Sequence, residues 1–301
     1  MTNPPTGSFR RDPEAALASN PVGLVPLGWD RVPADLPEIA RLGYEGIQVD
    51  GGDGAGWARA LSTHSLRPAE VYLAIPCDVG GPTGEAETVR EDRIEYALAA
   101  QAEHLVLAVN GNSVRDRIST DRPVFDDEGW ERLIALVGTI HDRATDAGIA
   151  VSFHPHAGTW VETPDEITQL FALAPDLSLC LDTGHHLLGG GDPVTAISEY
   201  GDRLSHLHLK DVDPDVMDRL MTGELSGFSE AVEARIFCPL GSGRLDVRGV
   251  VAALDELRYD GWLMVEQDTM WEPAIESSAI SRRILEWVCR DHGAHLNRKK
   301  T

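Results

Sequence analysis

Lysine is almost missing from this 301-residue chain: Lys210, Lys299 and Lys300 are its three lysines, and the last two sit in the terminal "NRKKT". Basic residues of both kinds are outnumbered, 26 against 49 acidic ones, for a formal charge of −23. A surface of that sign repels phosphate backbones and acidic membrane faces, so neither nucleic acid nor membrane is an expected partner. Cysteine is scarce too. Cys77, Cys180, Cys238 and Cys289 show no CxxC spacing and no disulfide-scaffold density, which points to reduced, buried thiols and a cytoplasmic protein. No apolar run reaches the roughly 18–20 residues that span a bilayer. The N-terminal "MTNPPTGSFRRDPEAALASNP" lacks the apolar core of a signal peptide and reads as a loose, flexible lead-in over residues 1–21. The acidic excess also suits a saline habitat or a biased genome, and neither speaks to function.

What is present is an ordinary globular composition, 42% apolar and 25% charged, in short apolar runs separated by helical stretches. The candidate strands are residues 23–29, 46–51, 69–76, 104–110, 150–156, 177–183, 204–211 and 261–268. Between them, "ETPDEITQLFALA" offers Thr163 as N-cap, Pro164 at the first helical position and Glu166 to complete a capping box. "GDPVTAISEYG" repeats that logic with Asp192 and Pro193, and "FDDEGWERLIALVGTIHDRATDAG" keeps helical spacing until Gly148. A final helix is expected at "SSAISRRILEWVCR". Eight βα units in about 280 residues imply a single (β/α)8 TIM barrel, with continuously apolar strands because both faces are covered. The alternative, a doubly wound open sheet, lacks its GxGxxG fingerprint in the first βα turn. The barrel is expected over residues 22–290, with an insertion at 212–239 after the seventh strand and a tail at 291–301. Insertions of that length are usually functional, often lids.

Barrel active sites lie at the carboxyl ends of the strands. The last four candidate strands end in His154 and His156, Asp182, His206 and His208, and Glu266, each polar at the tip of an apolar run. One member per strand, His154, Asp182, His208 and Glu266, makes a four-ligand metal site. Mixed imidazole and carboxylate donors suit Mn2+, Co2+, Fe2+ or Zn2+. Each residue also has a plainer reading: a histidine near a strand end is often a hydrogen-bonded core residue, and Asp182 before Thr-Gly suits a helix N-cap. In "HLHLKD", His206 and His208 share a face, so one binds metal while the other packs below it. Lys210 either faces away as a surface lysine or joins the rim where the strand bends. "PLGSGRLD" has glycines but no following Lys-Ser/Thr, so it reads as a loop closing the rim, with Arg244 near substrate.

In order, "FHPHAGT", "LDTGHH", "HLHLKD", "PLGSGRLD" and "GWLMVEQD" resemble the xylose-isomerase-like barrels of the sugar phosphate isomerase/epimerase superfamily, and within it the inosose dehydratase group of inositol catabolism. "VGLVPLGW" and "PVFDDEGWERL" also resemble that group, and the likeness runs from about Val22 to Glu286. The superfamily takes metal ligands from strands 5 to 8 in the order Glu, Asp, His, Glu. Here His154 stands where many epimerases have glutamate, while inosose dehydratases carry a His-rich stretch. Gln48 stands where the group usually has glutamate. The resemblance implies a metal-dependent carbon–oxygen lyase that dehydrates a cyclic 2-keto polyol by α-proton abstraction and β-elimination of water. It uses a divalent metal, Mn2+ or Co2+ first, with Zn2+, Fe2+ or Mg2+ also compatible. On this reading His185, Glu266 and Lys210 are the catalytic residues, and Trp29, His156 and Arg244 hold substrate hydroxyls. The alternatives are a ketose or sugar-phosphate isomerase/epimerase, an oxidised-glycoside eliminase, and a non-catalytic sugar-binding barrel. The partner is a small polyol or sugar, and related barrels suggest a homo-oligomer.

Overall fold

The computed structural model describes residues 17, 20–27, 32–117, 122–266 and 273–293. Trp29, most of the expected lead-in and most of the expected tail lie outside the described residues. Within that lead-in, Leu17 and Asn20 are described and buried, and the Asn20 side chain donates to the carbonyls of Tyr259 and Gly261.

Eight parallel strands close a barrel in chain order: β1 (Val22–Val25), β2 (Gly46–Gln48), β3 (Arg67–Ile75), β4 (His104–Val109), β5 (Ala150–Phe153), β6 (Leu179–Asp182), β7 (Leu204–Leu209) and β8 (Leu263–Glu266). All eight coincide with the apolar runs of the sequence. β4, β6, β7 and β8 are buried along their whole length, as strands covered on both faces must be. The outer layer is made by α1 (Val32–Arg41), α2 (Gly54–Ser62), α3 (Ala86–Ala100), α4 (Asp127–Asp146), α5 (Pro164–Leu173), α6 (Thr183–Leu188), α7 (Pro193–Glu199), α10 (Val247–Leu257) and α11 (Ala274–Asp291). The cap signals act as written. The Thr163 hydroxyl accepts from the Glu166 N–H and the Glu166 carboxylate accepts from the Thr163 N–H, with Pro164 at the first position of α5. Asp192 caps α7 in the same sense, and Gly148, at φ 85°, follows the end of α4. One large apolar cluster lies between the barrel and this helical layer.

The expected insertion, 212–239, packs into a second, smaller apolar cluster. It carries α8 (Pro214–Met221) and α9 (Phe228–Glu233), and an antiparallel pairing of Asp211–Val212 with Phe237–Cys238 returns the chain to the barrel. Val212, Met217, Leu220, Ile236 and Phe237 pack with Ala157 and Leu188, so the insertion sits on the loop after β5 and on α6. Across the mouth, the backbone N–H groups of Phe228 and Ser229 and the Ser229 hydroxyl bond to Asp116, in the loop after β4. Among the described residues no helix is long and apolar enough to cross a membrane.

Candidate metal centre and active site

Strand alternation and barrel stagger decide which side chains meet. On β6 and β7, Asp182 pairs in register with His208; on β7 and β8, His208 pairs with Met264 and Leu209 with Val265. The next step along both strands brings Lys210 level with Glu266. His154 directly follows the last residue of β5. One donor atom from each of His154, Asp182, His208 and Glu266 lies within 4.8 Å of the others, and all four residues are buried.

Asp182 caps a helix and also faces the cluster. Its Oδ1 accepts the His185 N–H at 2.7 Å, capping α6, while Oδ2 faces the cluster. Lys210 is fully buried, which corrects the surface alternative. A two-residue period puts residues 206, 208 and 210 on one face, and the strand keeps that alternation past its last ladder bond. The Lys210 ammonium donates to Glu266 Oε1 at 2.7 Å, lies 2.9 Å from His185 Nε2 and 3.4 Å from Asp182 Oδ2, and rests over the Phe237 ring. Gly184 makes this possible: a Cβ there would stand 2.8 Å from Lys210 Cγ. Gly184→Ala should therefore destabilise the protein by about 1–3 kcal/mol through overpacking. Denaturant unfolding measures that cost, and metal content should stay unchanged while the displaced ammonium lowers turnover.

The electrostatics follow from burial and these neighbours. Burial alone would raise the Glu266 pKa, but the Lys210 ammonium and the His208 imidazole bring it down to about 2. Asp182 is likewise held well below the ordinary carboxylate range, burial being outweighed by Lys210 and the surrounding imidazoles. Burial, His156 and Lys210 push His185 well below the usual imidazole value, and burial with His154 takes His156 to about 3. Both rings are therefore neutral near neutral pH. His208 goes the other way: burial opposes its charge, but the Cys180 thiol and the carboxylates of Glu70 and Glu266 raise its pKa well above the ordinary value.

The donor set fits a divalent cation. Asp182 Oδ2, His208 Nδ1 and Glu266 Oε2 are buried with no hydrogen-bond partner of good geometry, although the last two lie 2.5 Å apart. Buried polar atoms are rarely left unsatisfied, and three converging on one point mark a place for a cation. Two carboxylate oxygens and imidazole nitrogens are the ligand types of Mn2+, Co2+, Fe2+ and Zn2+ sites.

Residues 36–290 match the model of the xylose isomerase-like TIM barrel. The chain belongs to the xylose isomerase-like TIM-barrel family. Inosose dehydratase of Lacticaseibacillus casei is 31% identical over 269 residues, spanning 82% of this chain and 89% of its own. Inosose dehydratase of Geobacillus thermodenitrificans is 30% identical over 278 residues, spanning 84% and 91%. Among solved structures, the IolI protein with a bound zinc atom superposes with a TM-score of 0.69 at 14% identity, covering 90% of this chain and 98% of that one.

In this xylose isomerase-like barrel the remaining expected residues fall into two groups. His156 lies beside the ligand cluster: its ring is 3.6 Å from that of His185 and 5.6 Å from that of His154. With Tyr72, Asn110, Thr159 and Phe228 it lines a cavity of about 530 Å3. Arg244 is elsewhere. It is exposed and ion-paired at 3.1 Å with Asp218 on α8. The reason is Asp211, whose buried carboxylate accepts the N–H groups of Gly241, Gly243 and Leu245. The glycine-rich loop is thus an anion nest filled from within, and wrapping Asp211 aims Arg244 at the insertion. Gln48 is buried at the end of β2 and lines a separate cavity of about 630 Å3 with Pro26, Leu27, Asp50 and Trp57.

Some residues at the site gave no motif. Phe228 and Phe237, from the insertion, place their rings 5.7 and 5.5 Å from that of His185 and wall it from solvent. Glu70, on β3, lies beneath His208 and hydrogen-bonds to it. Its signal was a carboxylate inside the otherwise apolar "AEVYLAIP".

Proposed function

We propose that this protein is a metal-dependent lyase that dehydrates an inosose-type cyclic 2-keto polyol. The observation that carries the reading is Lys210, a buried ammonium hydrogen-bonded between Glu266 and His185 at the edge of a four-residue ligand set. Relatives named inosose dehydratase, at 30–31% identity over most of the chain, support the substrate class. A divalent cation, Mn2+ or Co2+ by preference, held by His154, Asp182, His208 and Glu266, supplies Lewis-acid polarisation of the substrate ketone.

The chain's own groups move the protons. Dehydration needs a base for the hydrogen on the carbon next to the ketone and an acid for the departing β-hydroxyl. Lys210 is the donor, and His185 and Glu266 are the acceptors that touch it. When an acceptor takes the α-proton, the C–H electron pair becomes the new C=C bond. The β C–O bond breaks, and its oxygen leaves as water with the proton from Lys210. Transfer from the protonated acceptor back to Lys210 resets the site, so no redox partner is needed. On this reading His156, Trp29 and Arg244 hold substrate hydroxyls, Arg244 by leaving its exposed pair with Asp218.

Incubating the Mn2+- or Co2+-loaded protein with scyllo-inosose should give the unsaturated-diketone product with loss of one water, followed by mass and absorbance. No product from inosose but turnover of a ketohexose would move the protein to the isomerase/epimerase class. Sugar binding with neither metal nor turnover would make it a binding barrel.

A further inference from the structure

Strands β3 and β7 are four apart in a ring of eight and so face each other across the barrel. From β3, Glu70 reaches β7, where its Oε2 accepts from His206 Nε2 and, at 3.0 Å, from His208 Nε2. Glu70, His206 and His208 are all buried. Below them the His104 ring lies tilted against that of His206 with centroids 4.3 Å apart, and His104 Nε2 meets the Ser152 hydroxyl at 2.9 Å. A polar column thus fills a barrel interior that usually holds branched apolar side chains.

A carboxylate placed there is expensive. Taking an ion out of water costs several kcal/mol, and Glu70 Oε1 has no hydrogen-bond partner among the described residues. If folding were the only demand, an apolar side chain would serve better. What the carboxylate does is fix one imidazole. A neutral imidazole has one N–H and one lone pair, and an acceptor on one nitrogen decides which is which. With Nε2–H donated to Glu70, Nδ1 is the nitrogen left to give up its proton to a cation, and it points to Glu266 Oε2 at 2.5 Å and Asp182 Oδ2 at 3.9 Å.

We propose that Glu70 is the positioning residue of the metal centre: across the barrel it locks His208 in the tautomer and orientation that present Nδ1 to the cation, while His206 and His104 brace it from below. This rests on the cation site proposed above, and metal-binding histidines commonly donate their second N–H to a carboxylate in this way.

Metal binding itself is the test. Apo wild type, Glu70→Gln and Glu70→Ala are titrated with Co2+, following visible absorption and the dissociation constant, with thermal unfolding of each apo form alongside. Glu70→Ala should bind Co2+ about 10–100-fold more weakly, with an altered absorption band. Glu70→Gln, which keeps an acceptor oxygen, should lie between the two. Apo Glu70→Ala should also unfold earlier than wild type, because His206 and His208 are left buried without their acceptor, and apo Glu70→Gln should lose less. Wild-type affinity and an unchanged band in both variants would overturn the proposal, as would weaker binding with an unaltered absorption band. If Glu70→Ala does not fold, Glu70→Gln decides alone on the same criteria. Failure of the dehydratase reading shows separately, as wild type that binds Co2+ but leaves inosose unchanged.

Discussion

Lys210→Met should lower inosose dehydration by about 10²–10⁴-fold, the usual worth of a positioned proton donor, while the protein still exchanges the substrate α-hydrogen with solvent. The two half-reactions separate because different groups serve them. Exchange needs only an acceptor, and His185 and Glu266 remain in the variant. Loss of the hydroxyl needs a donor, and the ammonium that touches both acceptors is gone. Methionine suits the test. It has an unbranched stem like that of lysine, so it lies against Gly184 and under Phe237 without opening a large cavity. Running the reaction in deuterated water, with metal content checked in parallel, reads deuterium uptake and product formation in one sample. Dehydration at the wild-type rate would move the acid elsewhere. Loss of exchange along with dehydration, with metal still bound, would make Lys210 part of the base step.

Much of this arrangement is legible in the residues, and the failures have physical reasons. The eight strands are readable because a strand covered on both faces must be apolar throughout, and the polar tips of the last four stand out against that background. The helix starts are readable because a cap is local chemistry: Thr163, Pro164 and Glu166 act within four residues of one another. Lys210 stays open between surface and rim in the sequence because alternation gives it the face of His206 and His208 but does not say whether that face is still covered at the strand's last residues. The direction of Arg244 is not legible locally because it is set by Asp211, about thirty residues earlier, whose carboxylate fills the loop's N–H groups. Glu70 and Phe237 meet the cluster only through closure of the barrel and folding of the insertion. Their partners are 138 residues away for Glu70 with His208, and lie outside the insertion for Phe237 with His185. No periodicity records contacts at that separation.

The acidic surface and the buried site are also connected. A cation entering a protein of charge −23 meets a favourable field everywhere, so attraction alone does not choose a site. Selection has to come from donors that are fixed, buried and short of partners, and among the described residues the His154, Asp182, His208 and Glu266 group meets all three conditions.

Asp182→Asn should therefore empty the site while leaving the fold in place. Elemental analysis of the purified variant, after dialysis against a trace of Mn2+ or Co2+, should find metal reduced by more than the roughly 10–100-fold in affinity that a supporting residue is worth, because a charged ligand is lost rather than its brace. The amide keeps an oxygen at the Oδ1 position, so the 2.7 Å cap to the His185 N–H survives and α6 starts where it did. Asp182→Ala removes both functions. It should lose metal to the same extent and in addition cost about 0.5–2 kcal/mol of stability for the missing cap. The difference in unfolding free energy between the two variants thus isolates the cap, and the metal lost in both isolates the ligand. Metal retained at the wild-type level in both would mean that the cation sits elsewhere, and the convergence of these four strand ends would then need another cause.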